Sequence, residues 1–285
     1  LRMGGVAELA TDDSIAMRVR FDGNTPPPQA LYFRGPVLSR FDGREWTRLT
    51  PSFPPPHLAK PNGLLARGGV LTPGWILAAY RQGIFPWFES DNSPILWWSP
   101  DPRAAITPGD VRVTRSLRKV IRNKPLDVCM DQDFTSTIKG CAERSEREDV
   151  GTWITPRMQS TYTELHRIGY AHSVEVRQDG ILVGGLYGLS FGSLFFGESM
   201  FSRSTDASKV AFVALHIQLR RWGFTLLDCQ LPNSHLTTLG VRTIARSRFL
   251  LLLAAGQHAP SRLGHWQLDP DWRDDLPQLI GRQVK

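Results

Sequence analysis

The run "HSVEVRQDGILVGGLYGLS", His172 to Ser190, decides how the chain reads. Two apolar, strand-forming pieces meet at Asp179-Gly180. Asp-Gly between such pieces is the strongest short-range signal for a tight β-hairpin, because both turn positions must take positive φ. Downstream, "SLFFGESMF" (193–201) predicts another strand. Upstream, "TPRMQSTYTELHRIG" (155–169) predicts a helix: Thr155 caps it, Pro156 starts it, Met158, Tyr162 and Leu165 face inward, and Gly169 stops it. Beyond the strand, "TDASKVAFVALHIQLRRWG" (205–223) predicts a long helix capped near Ser204 or Asp206. A buried strand at 224–230 follows, then a short helix starting near Asn233 and a C-terminal helix. A helix, an antiparallel hairpin, a strand, a helix and a strand make an α/β layer with a mixed sheet. Nearer the N-terminus, "TPGWILAAYRQGIF" (72–85) predicts a short helix with Thr72 as cap and Pro73 in its first position. Trp75 or Ile76, Ala79 and Tyr80 lie on one side of it, and an aromatic loop follows it.

Composition narrows the class. The 285 residues are 41% hydrophobic and 21% charged, ordinary values for a globular protein. No apolar run approaches the roughly 20 residues of a membrane span; "FLLLLAAG" (249–256) reads as a core helix. The first residues carry no apolar core of a secretory signal. Cys129, Cys141 and Cys229 are widely separated and offer no metal-ligand spacing, so free thiols in a reducing compartment are expected. A net charge of +7 fits a polyanionic partner. That charge concentrates in "VTRSLRKVIRNK": Arg115, Arg118, Lys119 and Arg122 fall on one helical face, and Leu117, Val120 and Ile121 on the other. A solvated helix surface is the ordinary source of such a pattern, but this face has no interleaved acid.

Chemistry is suggested by "LLDCQLPNSH" (226–235). In an extended strand side chains alternate, so Asp228 and Gln230 share one face and Cys229 points the other way. An acid beside an amide at a strand mouth can handle a proton; it can also cap the next helix.

Three ordered strings carry a resemblance: "GIFPWF…PILWWSPDPR" (83–103), "GTWIT" with "HSVEV" and "GGLYG" (151–188), and "FFGESMFSRSTDASK…LLDCQ" (195–230). Together, from about Thr50 to about Gly256, the chain resembles the leucyl/phenylalanyl-tRNA–protein transferases. The resemblance implies an α+β fold with a GNAT-like (acyl-CoA N-acyltransferase) mixed sheet and flanking helices, preceded by a smaller domain. The borders it implies are 48–104 for the small domain, 105–260 for the catalytic domain and 261–285 for a C-terminal tail. It implies transfer of Leu, Phe or Met from aminoacyl-tRNA to an N-terminal Arg or Lys of a protein, which marks that protein for degradation. No cofactor, metal or membrane is expected; a cytoplasmic monomer is. Asp228, Gln230, Asn233 and Glu198 fall on the family's catalytic positions. Trp87, Leu186, Leu215, Leu219 and Ser199 fall on its substrate-binding positions, and Arg115, Lys119 and Arg122 on its tRNA-contacting cluster. Leu186 stands where the family often has Met, and Leu215 and Leu219 where it can carry Phe, so the pocket size departs from the pattern. Residues 1–47 stand apart: "MRVRFDG" and "ALYFRGPVLSRFDGREW", split by "NTPPPQ", resemble part of a transglutaminase-like membrane protein family without its catalytic core, and read as an extraneous joined fragment.

Two rivals share these features. An acetyl-CoA-dependent N-acetyltransferase would bind pyrophosphate at a glycine-rich turn before a helix, yet "SRSTDASK" contains no glycine and offers Asp206 instead. A non-catalytic RNA-binding module would use the basic helix and exposed tryptophans.

Overall fold

A computed structural model describes residues 51–147 and 152–279, together with two short strands, β1 (Arg40–Phe41) and β2 (Trp46–Thr47). The chain divides into two compact units, Leu1–Ser52 and Phe53–Lys285. In the first, β1 and β2 pair antiparallel; the rest of the segment expected at 1–47 lies outside the described residues.

The second unit begins with a three-stranded sheet, ordered β3 (Leu64–Arg67), β5 (Leu96–Trp98), β4 (Phe85–Pro86), with helix α1 (Pro73–Tyr80) between β3 and β4. Thr72 caps α1 by accepting from the Trp75 amide, and Trp75, Ile76, Ala79 and Tyr80 are buried on it. A seven-stranded sheet follows. Its members are β6 (Arg103–Ile106), β7 (Leu126–Met130), β8 (Ala171–Gln178), β9 (Ile181–Phe191), β10 (Leu194–Ser202), β11 (Leu226–Gln230) and β12 (Arg242–Ile244), in the order β12-β6-β11-β10-β9-β8-β7. Neighbours are antiparallel except β10 and β11, which run parallel. This is the mixed sheet that the alternation of helices and strands predicts. The hairpin turns at Asp179 and Gly180, with φ of 52° and 77°, the two positive values that its Asp-Gly sequence predicts.

Helices flank the sheet: α2 (Arg115–Asn123), α3 (Phe134–Arg147), α4 (Pro156–Arg167), α5 (Ala207–Arg221), α6 (Ser234–Thr238) and α7 (Arg246–Gly256). On α4, Thr155 caps and Met158, Tyr162 and Leu165 are buried, as the spacing predicts. Helix α5 connects the parallel strands, and its residues from Ala207 to Leu219 are buried apart from Lys209. A helix enclosed on all sides lies inside the core, not across its surface. Its cap differs from expectation. Asp206 holds the N-cap position with φ 67° and makes no side-chain bond to the helix amides; its carboxylate pairs with Lys209 Nζ at 2.8 Å.

Two expected borders do not hold. The break at 104/105 falls inside β6, a strand hydrogen-bonded to β11 on one side and β12 on the other. Residues 261–279 do not trail as a tail. Trp266, Trp272, Leu276 and Leu279 are buried in the main core, and Arg221 is held by the carboxylates of Asp269, Asp271 and Asp275 at 2.6–3.0 Å. The tryptophans supply apolar area that α5 needs covered, so the segment packs into the core and does not trail from it. Among the described residues no helix is long and apolar enough to cross a membrane.

Candidate active site

The parallel pair opens the site. β10 and β11 pair at Leu194–Leu226, Phe195–Leu227 and Phe196–Asp228, and then part. Each strand bulges at that level. On β10 the pairing with β9 passes from Gly197 to Ser199 and leaves Glu198 as the extra residue. On β11 the pairing with β6 passes from Asp228 to Gln230 and leaves Cys229 over. Bulges twist a strand and re-aim its side chains. The packing at Gly188, opposite Gly197, admits no Cβ: one there would lie 2.2 Å from the Phe196 carbonyl oxygen. A cavity of about 550 Å³ occupies the parting. Its apolar wall includes Trp87, Leu186, Phe195, Phe212, Leu215 and Leu227, and its polar edge is Glu198, Ser199, Gln230 and Asn233.

Glu198 is the acidic group at that edge. Tyr80 Oη donates to Oε1 at 2.5 Å and Tyr162 Oη to Oε2 at 3.1 Å. The Gln230 amide Nε2 lies 3.4 Å from Oε1. Burial in an apolar surround pushes the carboxyl up to about 7; the two tyrosine bonds pull against that, and the Asp228 charge adds to it. Burial, with Glu198 nearby, likewise holds the Tyr80 and Tyr162 hydroxyls well above their ordinary value, so they stay donors.

Asp228 takes a different place from the one its strand position suggests. It alternates against Leu227 and Cys229 as expected, but it is 1% exposed and does not line the cavity. Arg103 grips both its oxygens, Nε to Oδ1 at 2.9 Å and Nη2 to Oδ2 at 2.6 Å. Its link to Gln230 runs through the backbone: the Gln230 N–H donates to Oδ1 at 3.0 Å. The two side chains therefore do not sit side by side as an acid–amide pair. The bulge at Cys229 and the left-handed φ of 55° at Gln230 turn the amide toward Glu198 instead. Asp228 does not cap the next helix either; Asn233 does, accepting from the Leu236 amide at 2.8 Å.

The remaining sequence-derived positions divide. Trp87, Leu186, Leu215 and Ser199 line the cavity. Leu219, one turn beyond Leu215 on α5, does not; it is fully buried in the core. The i, i+4 spacing places both on one side of the helix, but the cavity ends before the second turn. Arg115, Lys119 and Arg122 are exposed along α2, whose Leu117 and Ile121 are buried. Arg103, Tyr80 and Tyr162 escape the sequence reading. The visible signal for Arg103 was a cation in "WWSPDPR" immediately ahead of the apolar "AAI"; the tyrosines read as core because they are core on all but their hydroxyl edge. Among the described residues no group of His, Cys, Asp and Glu is arranged to hold a metal ion.

Comparison with known proteins identifies the family. Residues 105–254 match the family described as leucyl/phenylalanyl-tRNA protein transferase, and residues 1–86 match the TgpA N-terminal domain. The chain is 54% identical over 224 residues to the leucyl/phenylalanyl-tRNA–protein transferase of Stutzerimonas stutzeri (strain A1501), covering 78% of this chain and 95% of that one. It is 51% identical over 228 residues to the protein of that name from Solidesulfovibrio magneticus, covering 80% and 92%. Among solved structures, a GCN5-related N-acetyltransferase from Kribbella flavida aligns over 61% of each chain at 13% identity and a TM-score of 0.30, too low to bear on function. The family match at residues 105–254 spans the parted strands, Glu198 and the bulged Gln230, and on it and on the identity to these relatives the chain belongs to the leucyl/phenylalanyl-tRNA protein transferase family.

Proposed function

We propose that this chain transfers Leu, Phe or Met from aminoacyl-tRNA to the N-terminal Arg or Lys of proteins, creating a degradation signal, and works as a cytoplasmic monomer. The observation that carries the reading is Glu198, a carboxyl near pH 7 at the polar edge of an apolar cavity, bonded by Tyr80 and Tyr162. The donor side chain occupies the apolar wall of Leu186, Phe195, Phe212 and Leu215. The acceptor's ammonium meets Glu198. An α-amino group has a pKa near 8, about one unit from that of Glu198, so proton transfer between them is close to balanced. The neutral amine then attacks the ester carbonyl; the C–N bond forms and the bond to the ribose oxygen breaks. Of the ammonium's three protons, one stays on the amide, one goes to the ribose oxygen and one leaves through Glu198 to solvent. The ester is already activated, so the step asks for neither ATP nor a redox cofactor. Asp228 serves as an anchor for Gln230, with Gln230 and Ser199 orienting the amine and Asn233 holding the rim. Arg115, Lys119 and Arg122 take the tRNA phosphates.

Incubation with radiolabelled Leu-tRNA and an Arg-ended peptide tests the reading. Label in the peptide is the expected result. Label transferred from acetyl-CoA instead, or tRNA binding without transfer, would replace it with one of the two rivals.

A further inference from the structure

We propose that Arg103 is a positioning residue for aminoacyl transfer, holding Gln230 in register with Glu198 through the carboxylate of Asp228; this rests on the reading above. Arg103 is 0% exposed and opens β6, the strand that pairs with β11 at the bulge. Its guanidinium lies over the rings of Phe85 at 4.9 Å and Phe249 at 4.5 Å. Every nitrogen of the fork is engaged: Nε and Nη2 on Asp228, and Nη1 on the Gly83 carbonyl at 3.2 Å. Gly83 stands just before the Phe85–Trp87 segment of the cavity wall. One planar cation thus ties the aromatic wall to the strand that carries Gln230.

The chain of contacts leads to the cavity and not away from it. Asp228 Oδ1, fixed by Arg103, accepts the Gln230 N–H in a left-handed backbone conformation that an L-residue adopts reluctantly. The Gln230 side chain then reaches Glu198. A buried ion pair is weak evidence for stability alone, since apolar replacements of such pairs often fold as well or better. This pair sits where it sets the direction of a side chain at the reacting edge.

The test compares single-turnover transfer from Leu-tRNA to an Arg-ended peptide, scaled to tRNA-binding-competent protein. Arg103→Met alone leaves a buried carboxylate unpaired, so the paired variant Arg103→Met/Asp228→Leu is made beside it, removing both charges together. The paired variant is expected to bind Leu-tRNA within twofold of the parent and to transfer about 100-fold more slowly, the loss that a misplaced group at a reacting centre brings. Added to Gln230→Ala, it should bring no further loss, because both act through the same amide. Parent-like transfer in the paired variant overturns the proposal. So does a loss that multiplies with that of Gln230→Ala, the outcome of a purely structural role. A parent chain that transfers nothing overturns the functional reading itself, and this inference with it.

Discussion

Replacing Glu198 with Gln isolates the group on which the functional reading turns. Glu198 stands at about 7 in the folded chain against an ordinary 4.5. A raised carboxyl favours its neutral form in the folded state. Its stabilising contribution is complete below pH 4.5, declines as pH rises through the interval, and is gone above 7. At about 1.4 kcal/mol for each tenfold change in proton affinity, ionised Glu198 costs the folded state roughly 3 kcal/mol at pH 8. Gln keeps an oxygen for Tyr80, and the Tyr162 hydroxyl can rotate to accept from the new amide, so the bonding is largely preserved. Urea unfolding between pH 5 and 8 should show the Gln variant gaining on the parent by roughly 2 to 3 kcal/mol across that range, the part of the loss that falls below pH 5 having already occurred. The same variant should lose transfer, together with the fall in parental kcat/KM below about pH 7. Parallel stability curves for the two proteins would mean that the carboxyl sits in a wet, ordinary site and that Glu198 is not poised to take the acceptor's proton.

Leu215→Phe should reduce Phe transfer more than Leu transfer in a competition assay, because Leu215 lines the cavity. Leu219→Phe should instead cost about 1–3 kcal/mol of stability by overpacking, with no change in donor choice. Tyr187 Oη is buried with no hydrogen-bond partner among the described residues, so Tyr187→Phe should raise the urea midpoint by an amount worth about 1 kcal/mol. Changing Arg115, Lys119 and Arg122 to Gln should flatten the dependence of log tRNA affinity on log salt by about 2, at roughly 0.7 for each phosphate contact, equally for Leu-tRNA and Phe-tRNA; an unchanged slope places the tRNA elsewhere. Trp266→Ala should cost about 3–5 kcal/mol in chemical unfolding, since Trp266 belongs to the core.

The elements were legible in the sequence wherever local chemistry specifies them. Asp179-Gly180 sets a turn, Thr72 and Thr155 cap their helices, and the spacing of Leu117 and Ile121 seats α2. Such signals lie within a few residues and need no partner. Arg103, Tyr80 and Tyr162 were not legible, but two polar members of the candidate site were, because Glu198 and Gln230 interrupt apolar strands where a polar side chain has no packing reason to be. What they do to one another was not. Period-two alternation put Asp228 beside Gln230, but two bulges on neighbouring strands redirected the amide to Glu198. A bulge adds one residue against a partner strand, and that partner lies 125 residues away for the Arg103–Asp228 pair. Leu219 and Leu215 are equivalent on a helical wheel; only the position where β10 and β11 part decides which one meets the cavity. Spacing along the chain determines which face a residue takes, whereas register between strands distant in sequence determines what stands opposite it, and register exists only once the tertiary fold has formed.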